Sequence, residues 1–157
     1  MASVIANIAK GRLNEFARRV DGNDPSTSVF KIVLLKDTGL EAIATLQDYD
    51  DLAALLAAAN DEITVASYAR GVLTDTSISA PTVDDGANTQ SFDIADFDFA
   101  ALEAGQSVGA AVLVYMPDTA GADSTAIPVH ITVPASPVVL NGEIFHYRTP
   151  SGLWSAA

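Results

Sequence analysis

The hydrophobic period of this chain changes once, near residue 60, and that change restricts the folds open to it. Two amphipathic segments come first. Ile5, Ile8, Leu13, Phe16 and Val20 recur at helical spacing and put one apolar stripe on a helix that Ser3 can cap and that runs to about Val20. Leu52, Leu55, Leu56 and Ala59 form the buried face of a second, shorter helix, capped by Asp48 and stopped by Asn60. Between them Phe30–Lys36 (FKIVLLK) is short, apolar and flanked by lysines, the pattern of a buried strand.

From Glu62 onward the period is two. Strands are expected at Glu62–Ala66, Ala69–Asp75, Phe92–Phe99 and Val108–Met116. Ile127–Val133 carries a proline near its start and reads as an edge strand. Val138–Leu140 and Glu143–Arg148 flank Asn141-Gly142 and predict a hairpin. Ala80–Thr89 and Pro117–Ala126 read as loops from their Pro, Asp and Gly content. Helices followed by a run of strands predict a single α+β domain over residues 1–157. It would be a mostly antiparallel β-sandwich or rolled sheet with an N-terminal helix and a second short helix.

Composition narrows the chemistry. There is no cysteine, which excludes disulfides, thiolate metal sites and a cysteine nucleophile. The longest apolar-rich run, Leu52–Ala59, is far shorter than the ~20 residues that a helical membrane span needs. Lys10 and Arg12 follow the apolar Val4–Ala9 patch instead of preceding it, so no secretory signal is expected. The net charge is −12 and unevenly spread. Residues 1–36 hold six cations and three acids, whereas residues 37–157 hold two cations and seventeen acids. A body this acidic repels phosphate backbones, so neither a nucleic acid nor a membrane is an expected partner. The charge serves solubility, and the basic N-terminal part can in addition face an acidic partner.

The residues that could carry catalysis are few. His130 alternates with Val129 and Ile131 and is expected to point away from the core, and His146 lies in the last hairpin. Neither has zinc-ligand spacing. Gly105–Gly109 (GQSVG) matches a nucleophile-elbow pattern, but the strand-turn-helix context of an elbow is missing. Paired acids occur at Asp84/Asp85, Asp93/Asp96/Asp98 and Asp118/Asp123. Such pairs can serve a glycosidase or calcium, but Asp, Asn and Gly also simply make turns, and no complete calcium-loop pattern is present. No phosphate-binding glycine loop occurs. Catalytic residues, cofactor and metal are therefore not expected. Gly11 interrupts the first helix and implies a close packing contact, a kink or a late helix start.

The order of segments resembles a family of small virion proteins of tailed bacteriophages of actinobacteria. The likeness is carried by KGRLNEFARRV, FKIVLLK, LQDYDDLAALLAAANDE, SYARGVLTD, FDIADFDF, AAVLVYMPDT and the terminal FHYRTPSGLWSA. The resemblance implies a virion component, first of all a capsid decoration (cement or minor capsid) protein on the outer shell. It implies the major capsid protein or other virion proteins as partners, and self-association into a homo-oligomer. A tail or head–tail component, such as a receptor-binding or baseplate module, is the second reading, and a glycan-active enzyme a remote third. The expected partner-binding residues are Arg12, Arg18 and Arg19 of the basic helix and the apolar pair Leu153 and Trp154, since Trp and Arg are enriched at binding hot spots.

Overall fold

The computed structural model describes residues 1–80, 82–86 and 89–148. Its central element is the strand that is buried at nearly every position, β7 (Ser107–Met116). It can be apolar on both faces because both are covered. β7 pairs antiparallel with β2 (Val29–Lys36) on one side and β8 (Ile127–Val133) on the other. β1 (Ala2–Ile5) extends the sheet beyond β8, and β3 (Gly71–Leu73) extends it beyond β2. β9 (Val138–Val139) adds a short pairing to the start of β7. Two antiparallel ribbons stand apart from this sheet: β4 (Thr82–Asp84) with β5 (Thr89–Ser91), and β6 (Phe97–Phe99) with β10 (Phe145–Tyr147).

Each face of the sheet has its own apolar core. On one face Val33, Leu35, Val112 and Val114 meet Leu46 of α2 (Ile43–Leu46) and Leu52 and Leu55 of α3 (Leu52–Ala57). On the other, Ile32, Leu34, Leu113 and Tyr115 meet Leu13, Phe16 and Val20 of α1 (Leu13–Asp21), together with Phe99 and Tyr147 of the β6–β10 ribbon. The Phe16 and Tyr115 rings stack at 4.6 Å between centroids. The architecture is α+β, mostly antiparallel and sandwich-like, with an N-terminal helix and short further helices, as the change of period predicts.

Several elements differ from the sequence expectation, each for a local reason. The first helix does not begin at Ser3. Residues 2–5 are β1, whose pairing runs from Ala2 opposite Val133 to Ile5 opposite His130. The helix starts late, after Gly11, whose φ of +79° is a conformation that glycine adopts without strain. A side chain at Gly11 would meet nothing within 4 Å, so close packing is not its reason. Ile127–Val133 is not an edge strand, because β1 covers it. Pro128 is accommodated where the register with β7 shifts.

The second helix is capped by Asp51, whose carboxylate accepts from the Ala54 N–H at 2.7 Å, and not by Asp48. Asn60 is fully buried and is no left-handed stop. Its side chain accepts from the Glu41 N–H and donates to the Leu55 carbonyl. The expected hairpin at Asn141-Gly142 does not form. The strands on either side go to different partners, β9 to β7 and β10 to β6. The segment 80–89, expected as a loop, contributes the β4 arm of a ribbon. Residues 62–66 pair with the sheet only at an isolated bridge, Glu62 opposite Leu35, although Ile63 packs into its core.

Gly109 has no room for a side chain. A Cβ there would lie 2.5 Å from the Asp37 Cα, so the turn after β2 can pack directly on β7.

Candidate interaction surface

α1 buries Leu13, Phe16, Ala17 and Val20 and turns Arg12, Arg18 and Arg19 outward. Arg12 and Arg19 share a face with Glu15 through the three- and four-residue spacings, while Arg18 lies one residue round the helix from Arg19. The three arginines are not equally available. Glu15 sits between two of them, accepting from Arg12 Nε at 3.2 Å and from Arg19 Nε at 2.9 Å. The Arg12 hydrogen bond, with that of Arg19, holds the Glu15 carboxyl below its usual range. Arg12 also lies over the Phe16 ring, 4.7 Å from its centroid. Arg18 is exposed and makes no hydrogen bond or ion pair among the described residues. It lines a shallow concavity of about 480 Å³ with Asn14, Arg19, Asp24 and Gln90. Of the three arginines expected at a partner surface, Arg18 is thus the one with its charge unspent. Leu153 and Trp154, the expected apolar anchor, lie outside the described residues.

The remaining charges group in two places. Arg70 is chelated by two carboxylates. Its Nη2 donates to Glu62 at 2.6 Å and to Asp123 at 3.0 Å, and its Nε donates to Glu62. The hydrogen bonds to Glu62 and then Asp123 raise the Arg70 pKa, while Arg70 lowers that of Asp123. Tyr68 extends the network: its hydroxyl donates to Glu62 at 2.9 Å and accepts from the Leu34 N–H at 3.0 Å. The site ties β2 to two connecting segments that sequence reading treats separately. The signal for it was the isolation of Arg70, one of two cations after residue 36.

The second group is exposed. His146 Nδ1 lies 2.7 Å from an Asp98 oxygen, and Arg148 reaches the same carboxylate at 3.0 Å and Asp96 at 3.4 Å. The hydrogen bond from His146 lowers the Asp98 pKa. β6 and β10 create this group by placing His146 opposite Asp98. A histidine beside a carboxylate is part of a hydrolytic triad, but no serine or threonine hydroxyl joins it among the described residues.

The other histidine is a correction. His130 does not point to solvent but is 4% exposed in β8. Burial lowers its pKa, and Thr132 Oγ1 stands 3.4 Å from its Nδ1. Ser107 of GQSVG begins β7, and Gln106 bonds Thr64, so the segment has no elbow geometry. Asp84 and Asp118 accept from backbone N–H groups two residues on and shape their own turns. Among the described residues no three His, Asp or Glu side chains are grouped to hold a metal ion. No helix of the described residues is long and apolar enough to cross a membrane.

The chain matches no protein-family profile, no curated protein and no solved structure.

Proposed function

We propose that this chain is a non-catalytic structural component of a tailed-phage virion, of the capsid decoration (cement or minor capsid) kind, that docks through α1 on an acidic surface of the major capsid protein or a neighbouring virion protein. The observation that carries the reading is Arg18: an exposed cation, unpaired among the described residues, on a concave helix face of a strongly acidic body. An exposed arginine with no internal partner loses little on desolvation against a carboxylate and can pair it bidentately. The order of segments from KGRLNEFARRV to the terminal FHYRTPSGLWSA supports the virion setting. Self-association of the docked copies belongs to the same reading, and neither a nucleic acid nor a membrane is a partner in it.

The test is occupancy on particles. Arg18→Glu reverses the free charge without breaking the Glu15 pairs, and its loss of particle binding supports docking through α1. Unchanged occupancy rejects it.

A second reading, a tail or head–tail component, is favoured by the β4–β5 ribbon. Its β4 arm is exposed throughout and carries Val83 at 68% exposure, which suits a contact tip. A few copies per particle instead of hundreds would point there.

A further inference from the structure

The concavity beside Arg18 is polar down to its floor. It lies between α1, the turn after it and β5, and Gln90 lines it from the β5 side. Two polar atoms beneath it are buried without a hydrogen-bond partner among the described residues, Tyr115 Oη and Asn14 Oδ1. Asn14 belongs to the lining, and the charges around Tyr115 are Arg19, Glu15 and Asp24, three more of the lining residues. Tyr115 is 3% exposed, and its ring is fixed by stacking on Phe16. The hydroxyl therefore cannot turn away to find a partner elsewhere. A buried hydroxyl left unpaired is destabilising, and native proteins pair nearly all such groups.

The charges select the class of ligand. Glu15 is taken up by Arg12 and Arg19, so Arg18 is the cation of the lining that is left to meet a ligand. A guanidinium fits a carboxylate with two parallel hydrogen bonds. Asp24, also in the lining, opposes a second negative charge. One carboxylate suits this balance, and a phosphate dianion does not. We propose that the concavity is a socket for one Asp or Glu side chain of the docking partner, whose carboxylate Arg18 clamps and the Tyr115 hydroxyl meets from below; the occupant rests on the reading of docking through α1. Tyr115 Oη is closed to water in the free chain, so a side chain moves to let the carboxylate reach it. Arg19 lies beside the hydroxyl and is held by an exposed pair to Glu15, which water replaces at little cost. Arg19 swings from Glu15 onto the incoming carboxylate, and the Gln90 amide adds a donor.

N-acetyl-glutamate amide is the probe, read in the full chain by NMR shifts of the Arg18 Nε–H and the Gln90 side-chain amide. Saturable shifts are expected with it, and none with N-acetyl-glutamine amide or inorganic phosphate. Tyr115→Phe keeps the stacked ring and removes the hydroxyl. It should weaken the probe about tenfold. Its urea midpoint should be unchanged or higher, because no described residue uses that hydroxyl. Arg18→Lys keeps the charge but loses the fork, and should also weaken the probe. Absence of shifts overturns the proposal, as does a response to phosphate equal to that of the glutamate probe. Unchanged probe binding by Tyr115→Phe overturns it too, and so does a marked fall in that variant's midpoint. Particles separate the socket from the docking reading. Loss of particle binding by Arg18→Glu, with full binding by Tyr115→Phe, overturns the socket and leaves docking through α1 standing. Saturable glutamate shifts in a chain whose Arg18→Glu variant still fills particles keep the carboxylate site and reject its assigned partner.

Discussion

Two charged groups in this protein use the same chemistry and differ in what surrounds them. At Arg70 the guanidinium and its carboxylates are largely withdrawn from water, with side-chain exposures of 24% for Arg70, 20% for Glu62 and 33% for Asp123. At Arg148 all the members are about half exposed, at 52% for Arg148, 52% for Asp98 and 50% for His146. A withdrawn pair cannot lose one partner without leaving a desolvated charge, whereas water replaces a partner lost at the surface. The first group therefore fixes the fold, and the second only decorates it. In a chain of net charge −12, location separates the ion pairs that hold the structure from those that are free to vary.

The contrast can be broken most forcefully at Arg70. Arg70→Met should destabilise the protein by about 3 kcal/mol, read as a fall in the urea midpoint, because Glu62 and Asp123 are left facing each other without a cation. A loss well under that size would place both groups in the same class. Acid should produce part of the same effect. Arg70 holds the Asp123 carboxyl below its usual range, so its contribution is complete above the ordinary aspartate pKa of about 3.9 and is lost as pH falls through the lower folded value.

Tyr68→Phe tests the neutral arm of that network. It leaves the Leu34 N–H without its acceptor and should cost about 1.5 kcal/mol in the same denaturation experiment.

His130 adds a pH-dependent test of burial. Burial depresses the His130 pKa, so the unfolded chain binds a proton that the folded chain refuses. Stability from this source is present above the unfolded value of about 6.5 and falls as pH drops toward the folded value, by at most about 1.4 kcal/mol per pH unit. His130→Leu should flatten that slope in pH-dependent thermal unfolding. The smallest effect belongs to the exposed group itself: Asp98→Asn should leave the unfolding midpoint unchanged within error, at low and high salt alike.

The sheet was legible where side-chain pattern decides structure. Val108–Met116 announces a strand covered on both faces, and Phe30–Lys36 its neighbour. Pattern failed where pairing across the chain decides. Ile5 fits a helical stripe, yet β8 offers β1 an open edge and Gly11 delays the helix. Asn141-Gly142 is a strong local turn signal that was outweighed by the separate pairings of β9 with β7 and β10 with β6. His130 alternates with apolar neighbours as a surface residue would, but in a covered strand both faces are interior.

The candidate surface was half readable. The sequence places Arg12, Arg18 and Arg19 at and along α1, but it does not reveal that Glu15 engages two of them. The Arg70 network joins residues 53 positions apart, and the isolation of Arg70 among acids is its one trace in the sequence.

The central proposal, that this chain works as a building block of a phage particle, is tested most directly by weighing it against the major capsid protein in purified tailed-phage particles assembled in its presence. The decoration reading predicts a band in fixed proportion to the capsid protein, at hundreds of copies, that survives purification. Particles that band cleanly without it would contradict the proposal.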